Sequence, residues 1–71
     1  MKEQNLEQLL NEKELAPLLG VSIGTLRYWR SIGRGPRYRK ISQLVRYAPT
    51  DVREWLNRRP SGGDIEAEVA L

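Results

Sequence analysis

Seventy-one residues with 12 Lys+Arg, 9 Asp+Glu, no cysteine and no histidine provide for one small domain. A domain of about 60 residues buries only about 60% of its unfolded surface, so its stability is modest. The composition excludes disulfides, a zinc site built from Cys or His, a Cys nucleophile and a Ser-His-Asp relay; the reading is of a non-enzymatic protein with no cofactor.

No apolar run approaches the roughly 20 residues of a membrane span, and Met1-Lys2-Glu3-Gln4-Asn5 lacks the apolar stretch of a signal peptide. The expectation is a soluble, cytoplasmic protein with no membrane partner. The net charge of +3 hides a sharp asymmetry. Residues 27–47 carry Arg27, Arg30, Arg34, Arg37, Arg39, Lys40 and Arg46 with no acid, a net of +7. Upstream, Glu3, Glu7, Glu12 and Glu14 outweigh Lys2 and Lys13, and the C-terminal stretch is acidic through Asp64, Glu66 and Glu68. A window of cations without anions repels itself unless a polyanion or solvent screens it, and this one is nearly all arginine, which suits phosphate and base-edge forks.

In chain order, residues 1–9 read as a flexible arm. Asn11 is a good N-cap with Glu14 placed to reach back to it, and Leu10 and Leu15 fall at the staple positions. A helix is therefore predicted from about Glu12 to Leu19, with Leu15, Leu18 and Leu19 on one inward face and Gly20 to end it. Pro17 removes a backbone hydrogen bond in this register, so the helix either begins later or bends there.

Ser22 is the next N-cap, opening a second helix that stops near Gly33, with Leu26 and Trp29 inward and Thr25, Arg27, Tyr28, Arg30 and Ser31 outward. Gly24 costs this helix about 1 kcal/mol relative to alanine; close approach to a DNA backbone is one reason for it, and an unselected exposed position is another. Arg34-Gly35-Pro36 breaks the helix. Two short strands follow, Tyr38–Ile41 and Leu44–Tyr47, around Ser42-Gln43, a poor pair for a primed turn. Pro49-Thr50-Asp51 opens a third helix with Thr50 as N-cap and with Val52, Trp55 and Leu56 buried. From Pro60 the chain reads as a flexible acidic tail. The domain is thus expected at residues 10–59, between an arm at 1–9 and a tail at 60–71.

Helix, tight turn, helix, two-stranded ribbon and closing helix is the order of a winged helix-turn-helix, mainly α with a small β-hairpin. Ala16, Gly20, Leu26 and Trp29 fill the roles such a unit needs: a small residue at the crossing, a turn glycine, and apolar residues directed back at the first helix. The segment Leu10–Asn57 also resembles the MerR-like winged helix-turn-helix proteins, most closely the small excisionase and AlpA-type DNA-binding proteins of phages and other bacterial mobile elements. The resemblance rests on LLNEKELA (9–16), LGVS (19–22), GTLRYW (24–29), GP (35–36), VRY (45–47) and Asp51-Val52 followed by Trp55-Leu56. It implies that the helix around Thr25 to Arg30 enters the major groove and that the hairpin wing lies on phosphates or in the adjacent minor groove. Nothing like the long dimerisation helix of full-length MerR regulators follows Arg59, which favours the excisionase or AlpA-type reading.

The candidate recognition-helix contacts are Ser22, Thr25, Arg27, Tyr28 and Arg30; the candidate wing contacts are Arg34, Arg37, Arg39, Lys40 and Arg46. Ser22 is available only if capping leaves its hydroxyl free. Tyr28 either reaches a phosphate or packs against the wing, and Arg46 either meets DNA or pairs with Asp51 or Glu54. Trp29 and Trp55 read as core. Glu12, Glu14, Asp51 and Glu54 read as helix-start acids. The expected partner is double-stranded DNA, with further copies of the protein on adjacent sites or with an integrase or RNA polymerase, in recombination or in transcription regulation. The alternative is a protein-interaction adaptor whose basic face docks an acidic partner.

Overall fold

A computed structural model describes residues 8–63; the expectations for the arm over residues 1–7 and the tail over residues 64–71 lie outside the described residues. The elements run α1 (Glu12–Leu19), α2 (Ile23–Ser31), β1 (Arg39–Ile41), β2 (Leu44–Arg46) and α3 (Pro49–Asn57), as the sequence predicts for a winged helix-turn-helix.

Local chemistry fixes the first two helices. At α1 the Asn11 side chain accepts from the Glu14 amide at 2.8 Å, and the Glu14 carboxylate accepts from the Asn11 amide at 2.9 Å, a reciprocal capping box. Both helices end in the same way. Gly20 and Gly33 sit at φ of +72° and +71°, and paired bonds close the last turns: Val21 to Ala16 and Gly20 to Pro17 after α1, Arg34 to Trp29 and Gly33 to Arg30 after α2. This Schellman arrangement satisfies carbonyls that a helix end otherwise leaves orphaned, and glycine takes the left-handed conformation without a Cβ penalty.

Pro17 lies inside α1, which does not begin later. Its ring removes the amide that would bond the Lys13 carbonyl, and both residues are exposed.

The third helix corrects its predicted start. Ala48, not Thr50, is the N-cap, with no side-chain cap bond, and Pro49 fills the first helical turn. Proline suits that place because its missing N–H would be unpaired there in any case, and its fixed φ is already helical.

The hairpin turns at Ser42-Gln43, with Ile41 opposite Leu44, Lys40 opposite Val45 and Arg39 opposite Arg46. Each strand is one residue shorter than predicted, losing Tyr38 and Tyr47. Ser42 resolves the poor primed-turn pair by adopting φ of +60°, the only non-glycine at positive φ among the described residues. Such a conformation costs an L-residue about 1–2 kcal/mol, partly offset in any glycine variant by unfolded-chain entropy. Ser42→Gly should therefore raise stability by about 0.5–1 kcal/mol, seen as a rise in thermal midpoint of about 2–8 °C; an unchanged or lower midpoint would show that the serine is unstrained.

The core is Leu15 and Ala16 from α1, Leu26 from α2, Tyr47 at the exit of the hairpin and Val52 from α3, flanked by Leu10, Leu19, Val21, Ile23, Trp29 and Val45. Tyr47 also ties the two ends of the domain together. Its backbone exchanges two hydrogen bonds of 2.8 Å with Leu10, just ahead of α1. Two predicted core positions turn outward: Leu18 is 70% exposed and Leu56 46%. They flank an open apolar groove between α1 and α3 shared with Leu10, Leu19, Pro49 and Val52. Trp29 and Trp55 meet at the edge of the core with ring centroids 5.5 Å apart, both half-buried.

Candidate nucleic-acid interface

Leu26 anchors α2 against α1 through the core, and Trp29 holds its next turn, so the opposite face of α2 is presented outward. Tyr28 stands there 61% exposed, which removes the alternative of packing against the wing. Gly24 is exposed, and a Cβ added to it would meet only the Ser22 hydroxyl at 3.7 Å; nothing within the described fold requires glycine at that place. Ser22 is engaged in capping, with its Oγ accepting from the Thr25 amide at 3.0 Å and lying 3.0 Å from the Thr25 hydroxyl.

The two arginines of α2 differ sharply. Arg27 donates from Nε to Glu12 Oε1 and Oε2 at 3.2 and 3.1 Å, and from Nη2 to Oε2. This side-on fork leaves Nη1 without a hydrogen bond among the described residues, and the side chain is 63% exposed. Arg30 corrects the expectation that it faces outward. It donates from Nη1 to the Tyr47 hydroxyl at 2.9 Å and from Nη2 to Glu12 Oε1 at 3.3 Å, lies over the Tyr38 ring at 5.7 Å, and is only 18% exposed.

Glu12 is therefore more than a helix-start acid. Hydrogen bonding from Arg27 holds its carboxyl below the ordinary carboxylate range despite partial burial, and the Arg30 guanidinium adds to the effect. Arg27 is correspondingly raised by its bonds to Glu12. Burial works against the Arg30 charge, but its bonds to Tyr47 and Glu12 outweigh that and leave it raised. Spacing alone does not reveal Glu12. The available signal is the helical pair Arg27 and Arg30, three residues apart on one face, without any indication of which acid they meet.

Of the cations read as wing contacts, Arg34 and Arg37 lie in the segment between α2 and the hairpin, while Arg39 and Lys40 are on β1; all four are exposed. Arg39 and Arg46 sit opposite each other in the ladder, an unfavourable like-charge pair. Asp51 offsets it. Its Oδ2 is 3.9 Å from Arg39 and buried without a hydrogen-bond partner. The ion pair read for Arg46 with Asp51 or Glu54 is thus corrected: Arg39 is the cation beside Asp51, Glu54 lies 4.0 Å from Arg58, and Arg46 donates to the Val45 carbonyl at 2.8 Å.

These elements enclose an open cleft of about 380 Å³ between the start of α1, the outer side of α2 and strand β2. Lys13, Arg27, Arg30 and Arg46 line it, with Glu12 as its one carboxylate among the described residues. Arg34, Arg37, Arg39 and Lys40 lie outside the cleft. The cleft therefore brings the cations of α1 and α2 together with Arg46 and the turn end of the hairpin.

The model of a family described as a helix-turn-helix domain matches residues 9–60. The chain belongs to that family. The matched span of the helix-turn-helix domain begins just ahead of the Leu10–Tyr47 bridge and ends just past α3, so it takes in the whole described core. No curated protein and no solved structure matches the chain. Among the described residues no helix is long and apolar enough to cross a membrane, and no group of His, Cys, Asp or Glu is placed to hold a metal.

Proposed function

We propose that this helix-turn-helix protein binds double-stranded DNA with sequence preference, with α2 in the major groove and the hairpin on the backbone or in the adjacent minor groove. The observation that carries the reading is the outward edge of Arg27, held at the mouth of a cationic cleft between helix and wing. Arg27 and Tyr28 are the direct contacts of α2, joined by Thr25; Arg34, Arg37, Arg39 and Lys40 position the wing on phosphates, and Arg46 closes the cleft. Arg30 acts from behind, bracing the helix through Tyr47 and Glu12. Ser22 caps the helix and offers the backbone little more than its remaining lone pair.

One module of this size buries only about 600–1,000 Å² on DNA, which is little for discrimination. The protein therefore works in several copies on adjacent sites or beside an integrase or RNA polymerase, as an excisionase-like recombination directionality factor or a small transcriptional regulator in the cytoplasm of a bacterial or phage-infected cell. The MerR-like and mobile-element resemblance of Leu10–Asn57 supports this role.

Fluorescence anisotropy on random and genomic-neighbourhood duplexes across a salt series tests it. Four to six neutralised phosphates give a log–log slope of about −4 to −5, and the preferred site should exceed random DNA by about a thousandfold. A steep slope without preference leaves an architectural role. No duplex binding at low salt rejects the reading and puts the adaptor with an acidic protein partner in its place.

A further inference from the structure

A carboxylate inside a phosphate-binding cleft repels the ligand the cleft is built to receive, so its presence calls for a function. Glu12 sits at the first position of α1, where the helix dipole favours negative charge. From there it reaches across to α2 and takes the Nε–Nη2 edge of Arg27 on one side and Nη2 of Arg30 on the other. Arg30 is itself fixed by the fully buried Tyr47. The chain of contacts Tyr47–Arg30–Glu12–Arg27 therefore runs from the core outward and ends in the exposed far edge of Arg27.

We propose that Glu12 is a specificity-determining positioning residue, which aims the free edge of Arg27 and lowers the affinity of the cleft for DNA of any sequence. The inference rests on the DNA-binding reading above. Two physical effects act together. An unrestrained arginine can swing onto any nearby phosphate, and its rotamer freedom is lost on binding. With its side-on edge already occupied, Arg27 can offer only its end-on edge, in one orientation, which rewards a correctly placed guanine or phosphate pair and no other. The negative charge of Glu12 also removes about one phosphate's worth of attraction from the sequence-independent part of binding. A single bidentate base contact discriminates by roughly fivefold to a hundredfold, which is the range over which aiming Arg27 acts.

The experiment compares wild type, Glu12→Gln and Glu12→Asp on two probes: the tightest duplex selected by the wild-type protein from a random library, and an unselected random duplex, each across a salt series with thermal midpoints measured alongside. Glu12→Gln should bind the random duplex several-fold more tightly, steepen the salt slope by about one, and lower the selected-to-random ratio at least fivefold. Glu12→Asp keeps the charge but shortens the reach, so it should keep the wild-type slope and weak random binding while losing discrimination. If Glu12→Gln fails to fold, Glu12→Asp still decides the aiming effect. Equal weakening on both probes with an unchanged ratio would make Glu12 merely structural and overturn the proposal, as would a wild-type ratio and slope in both variants. Failure of the wild type to bind any duplex is a different result, one that removes the DNA-binding reading itself.

Discussion

Tyr47→Ala should lower the unfolding free energy by about 3–5 kcal/mol, the range for deleting a large buried aromatic. Tyr47 is 1% exposed and belongs to the largest fully buried side chains. Its ring meets Tyr38 at a centroid distance of 6.2 Å, and its hydroxyl accepts from Arg30. A domain of some 50 ordered residues has about 3–8 kcal/mol of total stability at typical values per residue, so this one change removes most of it. Circular dichroism should show the variant largely unfolded or melting without a sharp transition near room temperature. Tyr47→Phe keeps the packing and strips only the hydroxyl, leaving Arg30 Nη1 without its acceptor. That change should cost about 1–2 kcal/mol and lower the thermal midpoint by about 4–15 °C. A midpoint within a degree or two of wild type for Tyr47→Phe would show that the Arg30 bond adds nothing.

Arg27→Ala should weaken duplex binding about tenfold to a hundredfold and make the salt slope shallower by about one, while the thermal midpoint moves little because the side chain is mostly exposed. Arg30→Ala should reverse that pattern. Its guanidinium braces Tyr47 and Glu12 and is mostly covered, so stability falls first and the salt slope changes less. Titration of both variants against the same duplex, with melting curves beside it, separates the two roles. Unchanged affinity for Arg27→Ala, together with unchanged affinity for Tyr28→Ala and Arg37→Ala, would sink the groove-and-wing arrangement.

Features settled by neighbours within a few residues were legible in the sequence. Asn11 with Glu14, Ser22 as the cap of α2, and Gly20 following Leu19 are local hydrogen-bonding problems with few solutions, and the structure adopts them. The hairpin was legible from the two β-compatible runs on either side of Ser42-Gln43 rather than from the turn pair itself, which works only because Ser42 takes a positive φ. The start of α3 was misread because a hydroxyl at Thr50 looks like a cap, whereas Pro49 can itself begin a helix without one. Leu18 and Leu56 were misread because a stripe of leucines implies a wide buried face, while helices this short bury only a narrow one: Leu15 and Ala16 in α1, Val52 in α3. The basic window and the outward face of α2 around Arg27 and Tyr28 were legible from charge and helical spacing. The inward turn of Arg30 and the clamp by Glu12 were not, because they join residues from α1, α2 and the hairpin exit that only the tertiary fold brings together. Tyr47 escaped in the same way, its pairing with Leu10 being set by packing rather than by any local pattern.

The Leu10–Tyr47 bridge has a consequence for how the domain opens. It ties the residue ahead of the first helix to the residue after the second strand, so everything between them forms one closed loop around the core. Closing so long a loop is entropically expensive and is repaid only once the core contacts inside it are formed. Because the clasp is made by the backbone of Tyr47, whose side chain is buried in the core, opening it exposes the core as well. The amides of Leu10 and Tyr47 should exchange with solvent only through global unfolding, as one cooperative unit.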